Sequence, residues 1–453
     1  MAAPSAAVAG AAVLPSHSLD DGSCWEGIRP PKAHDIKIMS AAKARARSDL
    51  DELSWARQGH AWRAQEEPAP PGTLARLHCS ALSVPAFVAD FEQRNLPVVL
   101  DGLAAEWPAW KGAWEPRALH AAYRHRRFRC GEDDRSYPVK VKLKYFLRYM
   151  RAQRDDSPLY IFDSMYSDKA PTQLLQEYAV PPYFAEDLLA LVGEHRRPPY
   201  RWMLLGPRRS GTNVHIDPLA TSAWNTLLYG RKRWVFFEPG VPREVVRGRD
   251  LVRKDAGEDD EPIDYFTNLL PRIKARGGEA LRARMIEVVQ RPGETLFVPG
   301  GWWHAVLNLD DTIAVTQNFC STTNFDRVWE AARQGRRGMA RKWLRALRSA
   351  GRGDLVARAD ALNAAAQWQP EALAAAHRAR KAAQATARAA RAAAKAAGKR
   401  ARQGGESGDS DASSSSSSSS NGSSSSGSVT SLSSLSSAER QRRRAGSAMA
   451  AED

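Results

Sequence analysis

Between residues 201 and 319 the chain is cut into short runs rich in β-branched and aromatic side chains. RWMLLGP, SAWNTLLYG and RWVFFEP come first. MIEVVQ, TLFVP, HAVLNL and TIAVTQNF follow, separated by RPGE, GGWW and DDT. Many short strands at this spacing, each closed by a turn signal, predict a small barrel or jelly roll. Gly230-Arg231 separates two of the runs and predicts a hairpin. The acidic insert DAGEDDEP at 255–262 interrupts the pattern and reads as a surface loop.

The rest of the chain frames this block. The division expected is a disordered N-terminus at 1–35, a helical and mixed region at 36–140 packing on the core, a strand-rich catalytic domain at 141–325, basic helices at 326–402 and a disordered tail at 403–453. In SVPAFVADFEQRN, Ser83 is a fitting N-cap, and Val84, Phe87, Val88 and Phe91 make an apolar stripe. Trp329, Trp343, Leu344 and Leu347 form the apolar face of a basic amphipathic segment, suited to pack on the barrel or on a partner. The serine run at 413–420 cannot bury enough apolar surface to offset its ordering entropy.

The 66 Lys and Arg against 51 Asp and Glu leave a net charge of +15, which favours anionic partners. The charge gathers at 37–47 (Lys37, Lys43, Arg45, Arg47), at 327–352 and at 378–402. RNA bound through its phosphates is one expectation, and solvated helix faces or nuclear-import signals are the other. Lys399–Arg402 and Arg440–Arg444 suggest the nucleus, with the cytoplasm as a second compartment. Cys24, Cys79, Cys130 and Cys320 are widely spaced, which argues against a disulfide framework or a zinc–cysteine site and fits a reducing compartment. No apolar run approaches the ~20 residues of a membrane span, and no membrane association is expected. The Ala-rich N-terminus lacks a basic leader and reads as a tail.

Chemistry concentrates in His215-Ile216-Asp217. Residues two apart on a strand share a face, so an imidazole and a carboxylate can grip one metal ion. His304 follows 87 residues later (304 − 217), at the start of another expected strand. Two His and one carboxylate form the facial triad of non-heme iron(II) oxygenases, which leaves one face of the octahedron open. Lys232 stands in GRKRWVFF, on a strand expected to flank the first ligands. A Lys there is costly to bury alone, and an anionic ligand would relieve it. Thr316 and Asn318 alternate inward in AVTQNF, as Asn225 does in SAWNTLL. This set suits a dicarboxylic keto-acid. Ligand types alone leave zinc or manganese open in the same pocket.

GTNVHIDPLATSAWNTLLYGRKRW and PGGWWHAVLNLDDTIAVTQNF resemble the Jumonji C oxygenases, and within them the bifunctional arginine demethylases and lysyl hydroxylases. FRCGEDDRSYPVKVKLKYFLRYM, RDDSPLYIFDS and RRPPYRWMLLGPRRSGT resemble them too, so the similarity spans roughly 36–335. The resemblance implies an α+β protein: a double-stranded β-helix, jelly-roll and cupin-like, with flanking helices and a serine-rich tail. It implies iron(II) on His215, Asp217 and His304. It implies contacts to 2-oxoglutarate from Lys232, Thr316, Asn225 and Tyr160, with Asn318 nearby and Trp202 in the pocket wall. The insert at 255–262 and the Ala/Arg-rich helix at 372–402 match less well.

By the same resemblance, O2 and 2-oxoglutarate drive oxidation of a protein side chain. Lysyl hydroxylation is the main activity expected and arginine demethylation the second. Basic Lys/Arg-rich segments, such as histone tails and splicing regulators, are the expected substrates. Asp163 and Glu238 are candidates to hold the cationic side chain. The helices at 326–402 are candidates for self-association. The competing reading is a non-catalytic cupin-like scaffold for RNA and splicing proteins, against which the intact HxD…H set with Lys232 argues.

Overall fold

The computed structural model describes residues 19, 22–63, 74–166 and 173–403. Two facing sheets build the centre. The larger has seven strands in the order Arg76–His78, Val98–Asp101, Thr295–Val298, Ser222–Tyr229, Thr312–Phe319, Arg201–Gly206 and Ile161–Asp163. The smaller has four, in the order Met285–Gln290, Lys232–Phe237, Trp303–Asn308 and Gly211–His215. From residue 201 the chain passes back and forth between the sheets, which is the jelly roll its short runs predict.

That alternation corrects the expected hairpin. Ser222–Tyr229 and Lys232–Phe237 belong to different sheets, so Gly230-Arg231 is a crossover between layers. Gly230 takes φ 76°, and a Cβ there would meet the Asp311 carbonyl oxygen at 2.1 Å, so only glycine fits the corner. A two-residue signal cannot tell a hairpin from a sheet change, because both need a positive φ.

Every residue of Ser222–Tyr229 is buried, since both faces are covered. Trp224 faces outward into an aromatic cluster with Phe184, Phe297 and Phe319, whose ring centroids lie 5.4–6.4 Å apart for the contacting pairs. Each such buried ring contributes roughly 1.5–3 kcal/mol. Ala223 and Asn225 face inward, as do Thr316 and Asn318 on the neighbouring strand, and all four line one cavity.

The N-terminal region is part of this core. Val98–Asp101 hydrogen-bonds to Thr295–Val298 inside the larger sheet, so the division expected near 141 falls within one compact unit. Order also begins before 36: Cys24 and Trp25 are buried, and a helix starts at Ala33. The acidic insert is the expected surface loop, and it is tethered. Arg47 binds Asp259 and Glu261, His60 binds Asp264, and Arg57 and Gln58 donate to the Gly257 and Ala256 carbonyls. Its negative charge is met by the positive charge of a basic N-terminal segment over 200 residues away, a pairing no local pattern displays.

Helices Phe325–Gly335 and Arg337–Ser349 bury Trp329, Trp343, Leu344 and Leu347 against their own chain, where the Trp343 indole donates to the Leu188 carbonyl at 2.9 Å. That apolar face is therefore covered. Residues from Val356 form a second unit, which contains most of helix Gly353–Ala365 and the long helix Pro370–Gln403. Arg440–Arg444 and the serine run lie outside the described residues. Among the described residues no helix is long and apolar enough to cross a membrane.

Candidate metal and co-substrate site

His215 ends its strand, paired directly across from His304 on Trp303–Asn308. Asp217 lies past the strand end, capping the turn Pro218–Ala220 rather than continuing the strand. The turn, with Leu219 and Ala220 at φ 57° and 51°, folds Asp217 back beside both histidines. The ligating atoms of His215, Asp217 and His304 all lie within 4.8 Å of one another. Asp217 Oδ1 is 3.8 Å from His215 Nε2 and 4.0 Å from His304 Nε2. Adjacent donors around an ion at ~2.1 Å stand about 3 Å apart, so a closing motion of roughly 1–2 Å suffices for all three to share one ion.

Hydrogen bonding fixes which ring nitrogens face that point. His215 Nδ1 lies 2.7 Å from the Asn213 carbonyl and His304 Nδ1 lies 3.2 Å from the Trp302 carbonyl. A carbonyl only accepts, so each Nδ1 donates its proton and each Nε2 keeps a lone pair. Burial, reinforced by His215, holds His304 well below the usual imidazole range and hence neutral. Burial raises the Asp217 carboxyl, with His215 pulling the other way. Two aimed lone pairs and a desolvated carboxylate are a donor set that a divalent cation would satisfy.

Lys232 marks the other end of the cavity. Its strand flanks the His304 strand, with Phe236 opposite His304 and Lys232 opposite Asn308; the expectation that it flanks the His215 strand is corrected, because the His304 strand lies between the two. Lys232 is 1% exposed, and its ammonium donates to Asn308 Oδ1 at 2.7 Å and to the Tyr160 hydroxyl at 3.1 Å. It forms no ion pair among the described residues, and burial pushes its pKa down to about 7. The buried Asn225 Oδ1 also lacks a partner. An enclosed cation without an anion and an orphaned amide oxygen fit a missing polar, negatively charged ligand.

The remaining expected contacts divide. The Thr316 hydroxyl donates to the Trp224 carbonyl at 2.7 Å, so its proton is engaged within the protein. Asn318 donates to Thr221 at 2.9 Å and bonds the Asp217 carboxylate, which makes it a neighbour of the ligand set. Trp202 and Phe162 wall the cavity, about 700 Å³ in volume. Asp163 does not enter it: its carboxylate accepts from the backbone of Arg129 and Met165. Glu238 pairs with Arg284 outside it. Besides Asp217, the acids that line it are Glu132, paired with Arg129, and Glu261, paired with Arg47 and Ser157. Asn308, which sequence reasoning missed, was findable: it lies four residues after His304, on the same face of the strand.

The profile described as JmjC domain, hydroxylase, matches residues 202–319. The chain is 42% identical over 312 residues to the bifunctional arginine demethylase and lysyl-hydroxylase psr-1 of Caenorhabditis briggsae, covering 69% of this chain and 77% of that protein. It is 39% identical over 252 residues to the arginine-specific demethylase JMJ22 of Arabidopsis thaliana, covering 55% and 47%. It is 27% identical over 287 residues to the 2-oxoglutarate and iron-dependent oxygenase JMJD4 of Mus musculus, covering 59% and 65%.

Proposed function

The chain belongs to the JmjC family of iron(II)- and 2-oxoglutarate-dependent oxygenases, and we propose that it oxidises basic side chains of proteins, chiefly by hydroxylating lysine and secondly by demethylating N-methyl arginine. The observation that carries the reading is the single cavity that holds the His215–Asp217–His304 set near a buried, unpaired Lys232. Two relatives are named as both arginine demethylase and lysyl-hydroxylase, which supports the choice of substrate.

In this reading His215, Asp217 and His304 hold the iron. When bound, the metal with 2-oxoglutarate and O2 supplies the power to place an oxygen atom on a nearby C–H carbon, with succinate and CO2 as co-products. Lys232, held by Tyr160 and Asn308, would receive a carboxylate of 2-oxoglutarate, and Asn225 would contribute an amide. Thr316 backs the pocket through its bond to Trp224, and Asn318 orients Asp217. Trp202 and Phe162 exclude water from the same space. Glu132 and Glu261 at the cavity are the acids placed to face a cationic side chain. The outcome then depends on which carbon is presented: an alcohol on a lysine side chain persists, whereas an alcohol on an N-methyl carbon leaves as formaldehyde.

We assign the substrate to basic segments such as histone tails and splicing regulators, in a nuclear protein; the clusters at 378–402 supply the import-type charge. Protein incubated with Fe(II), 2-oxoglutarate and Lys-rich peptides will release succinate and add the mass of one oxygen to lysine. Salt-sensitive RNA binding with no turnover on any peptide would establish the scaffold reading instead.

The pKa of Lys232 gives a pH dependence with a definite sign. The free ammonium titrates near 7, and a carboxylate beside it favours the charged form, so co-substrate binding takes up a proton above that pH. Affinity for 2-oxoglutarate is therefore greatest below about 7 and weakens as pH rises, by up to about tenfold per unit. Titration of metal-loaded protein across this range reads it; a flat profile would remove Lys232 from the carboxylate.

A further inference from the structure

A second cavity, of about 300 Å³, lies apart from the metal-site residues and is lined by Ala61, Trp62, Met150, Gln153, Arg151, Arg154, Arg208, Arg209, Asp310 and Asp311. Four arginines line one small concave space. They differ in how they are held. Arg209 is buried, donates to the Asp155 carbonyl at 3.0 Å and to Gln153 at 2.8 Å, and sits at φ 77°, a backbone strain the fold accepts to place it. Burial and the adjacent Arg208 push its pKa down, against the opposing pull of Asp311 and Asp155. Arg151 lies 5.5 Å over Trp25, and Arg154 lies 5.6 Å over Trp62, which is 75% exposed. Arg208 is exposed, and its side chain makes no hydrogen bond or ion pair among the described residues.

We propose that this cleft binds a phosphoserine flanked by basic residues in a protein segment. A dianionic phosphate accepts several forked guanidinium bonds at once, and a convergent set of Arg is the arrangement that suits it. The alternative polyanion, a nucleic-acid strand, asks for charge spread along a track. The walls also carry Asp310 and Asp311. Arg231 neutralises Asp310 through two contacts of 2.7 and 3.0 Å, while Asp311 accepts the Arg208 amide at 2.9 Å. With Asp310 already paired, the Asp311 carboxylate repels the flanking phosphates of a polynucleotide but favours Arg or Lys beside a phosphoserine. The same logic disfavours the chain's own serine tail, whose flank carries Glu406, Asp409 and Asp411. The cleft adjoins the co-substrate pocket: the Arg209 amide donates at 2.9 Å to the carbonyl of Asn308, whose side chain holds Lys232.

The test is direct binding to the full chain, read by fluorescence anisotropy and independent of oxidation. A labelled Arg-flanked phosphoserine peptide will bind at least about tenfold more tightly than its unphosphorylated form. Arg208→Ala alone and the Arg154→Ala/Arg208→Ala pair will lose that preference while keeping the far-ultraviolet spectrum and succinate release of the parent. Equal affinity with and without phosphate overturns the proposal, as does an unchanged preference in the folded double variant. Tighter binding of a phosphorylated 405–420 peptide, or of single-stranded RNA that depends on the same two arginines, would reassign the cleft.

Discussion

Asp217→Ala will abolish succinate release, by about a thousandfold or more, and will remove stoichiometric iron binding without unfolding the chain. The carboxylate supplies the only negative charge in the donor set, and both histidines reach it at 3.8 and 4.0 Å. Two neutral imidazoles alone leave a divalent ion in a desolvated pocket without compensation. The stability effect has the opposite sign. With no metal bound, burial already drives the Asp217 carboxyl toward its protonated form, so replacing it removes a group the fold tolerates poorly. The metal-free variant should melt no lower than the metal-free parent, whereas the stabilisation that added iron gives the parent should vanish. Iron content after dialysis and melting curves with and without Fe(II) check both halves. An Asp217→Ala protein that still binds one equivalent of iron and turns over would break the ligand assignment.

Much of this site was legible in the sequence, and for a physical reason. The period of two along a strand put His215 beside Asp217, and the run after GGWW put His304 at a strand start. Both ideas led to the right neighbourhood even though Asp217 sits on a turn, because that turn is short and folds back. Alternation likewise predicted that Asn225, Thr316 and Asn318 face one space. Hydrogen-bond roles were not legible. Thr316 spends its proton on Trp224, and Asn318 serves Asp217, and both facts depend on neighbours from other strands. The failure at Gly230-Arg231 has the same origin, since which sheet receives the next strand is decided by non-local pairing. At 255–262 the expected surface loop is present, but its anchoring by Arg47 from the far end of the domain depends on the same non-local pairing. Local pattern specifies faces and periods; partners distant in the chain specify what each polar group does.

Lys232→Met carries the second large effect and separates the two ends of the cavity. Methionine fills nearly the same volume without charge, so iron binding at the His215–Asp217–His304 end should remain. Affinity for 2-oxoglutarate should fall by about a hundredfold or more, because a desolvated carboxylate loses the buried cation beside it. Turnover at ordinary co-substrate concentration should fall with it, and the residual rate should no longer follow pH through the Lys232 titration. The metal-free protein should gain stability. At neutral pH the parent balances between burying an unpaired ammonium and deprotonating it, and that balance disfavours the folded state below about pH 7 relative to higher pH. Replacing such a charge with an apolar chain of similar size stabilises by roughly 1–4 kcal/mol, offset in part by the loss of the 2.7 Å bond to Asn308. The melting temperature of the variant should therefore exceed that of the parent most at acidic pH, and the difference should shrink as pH rises past 7. A variant that binds 2-oxoglutarate as tightly as the parent would show that the carboxylate lies elsewhere. A stability difference that grows with pH would show that Lys232 is paired in solution.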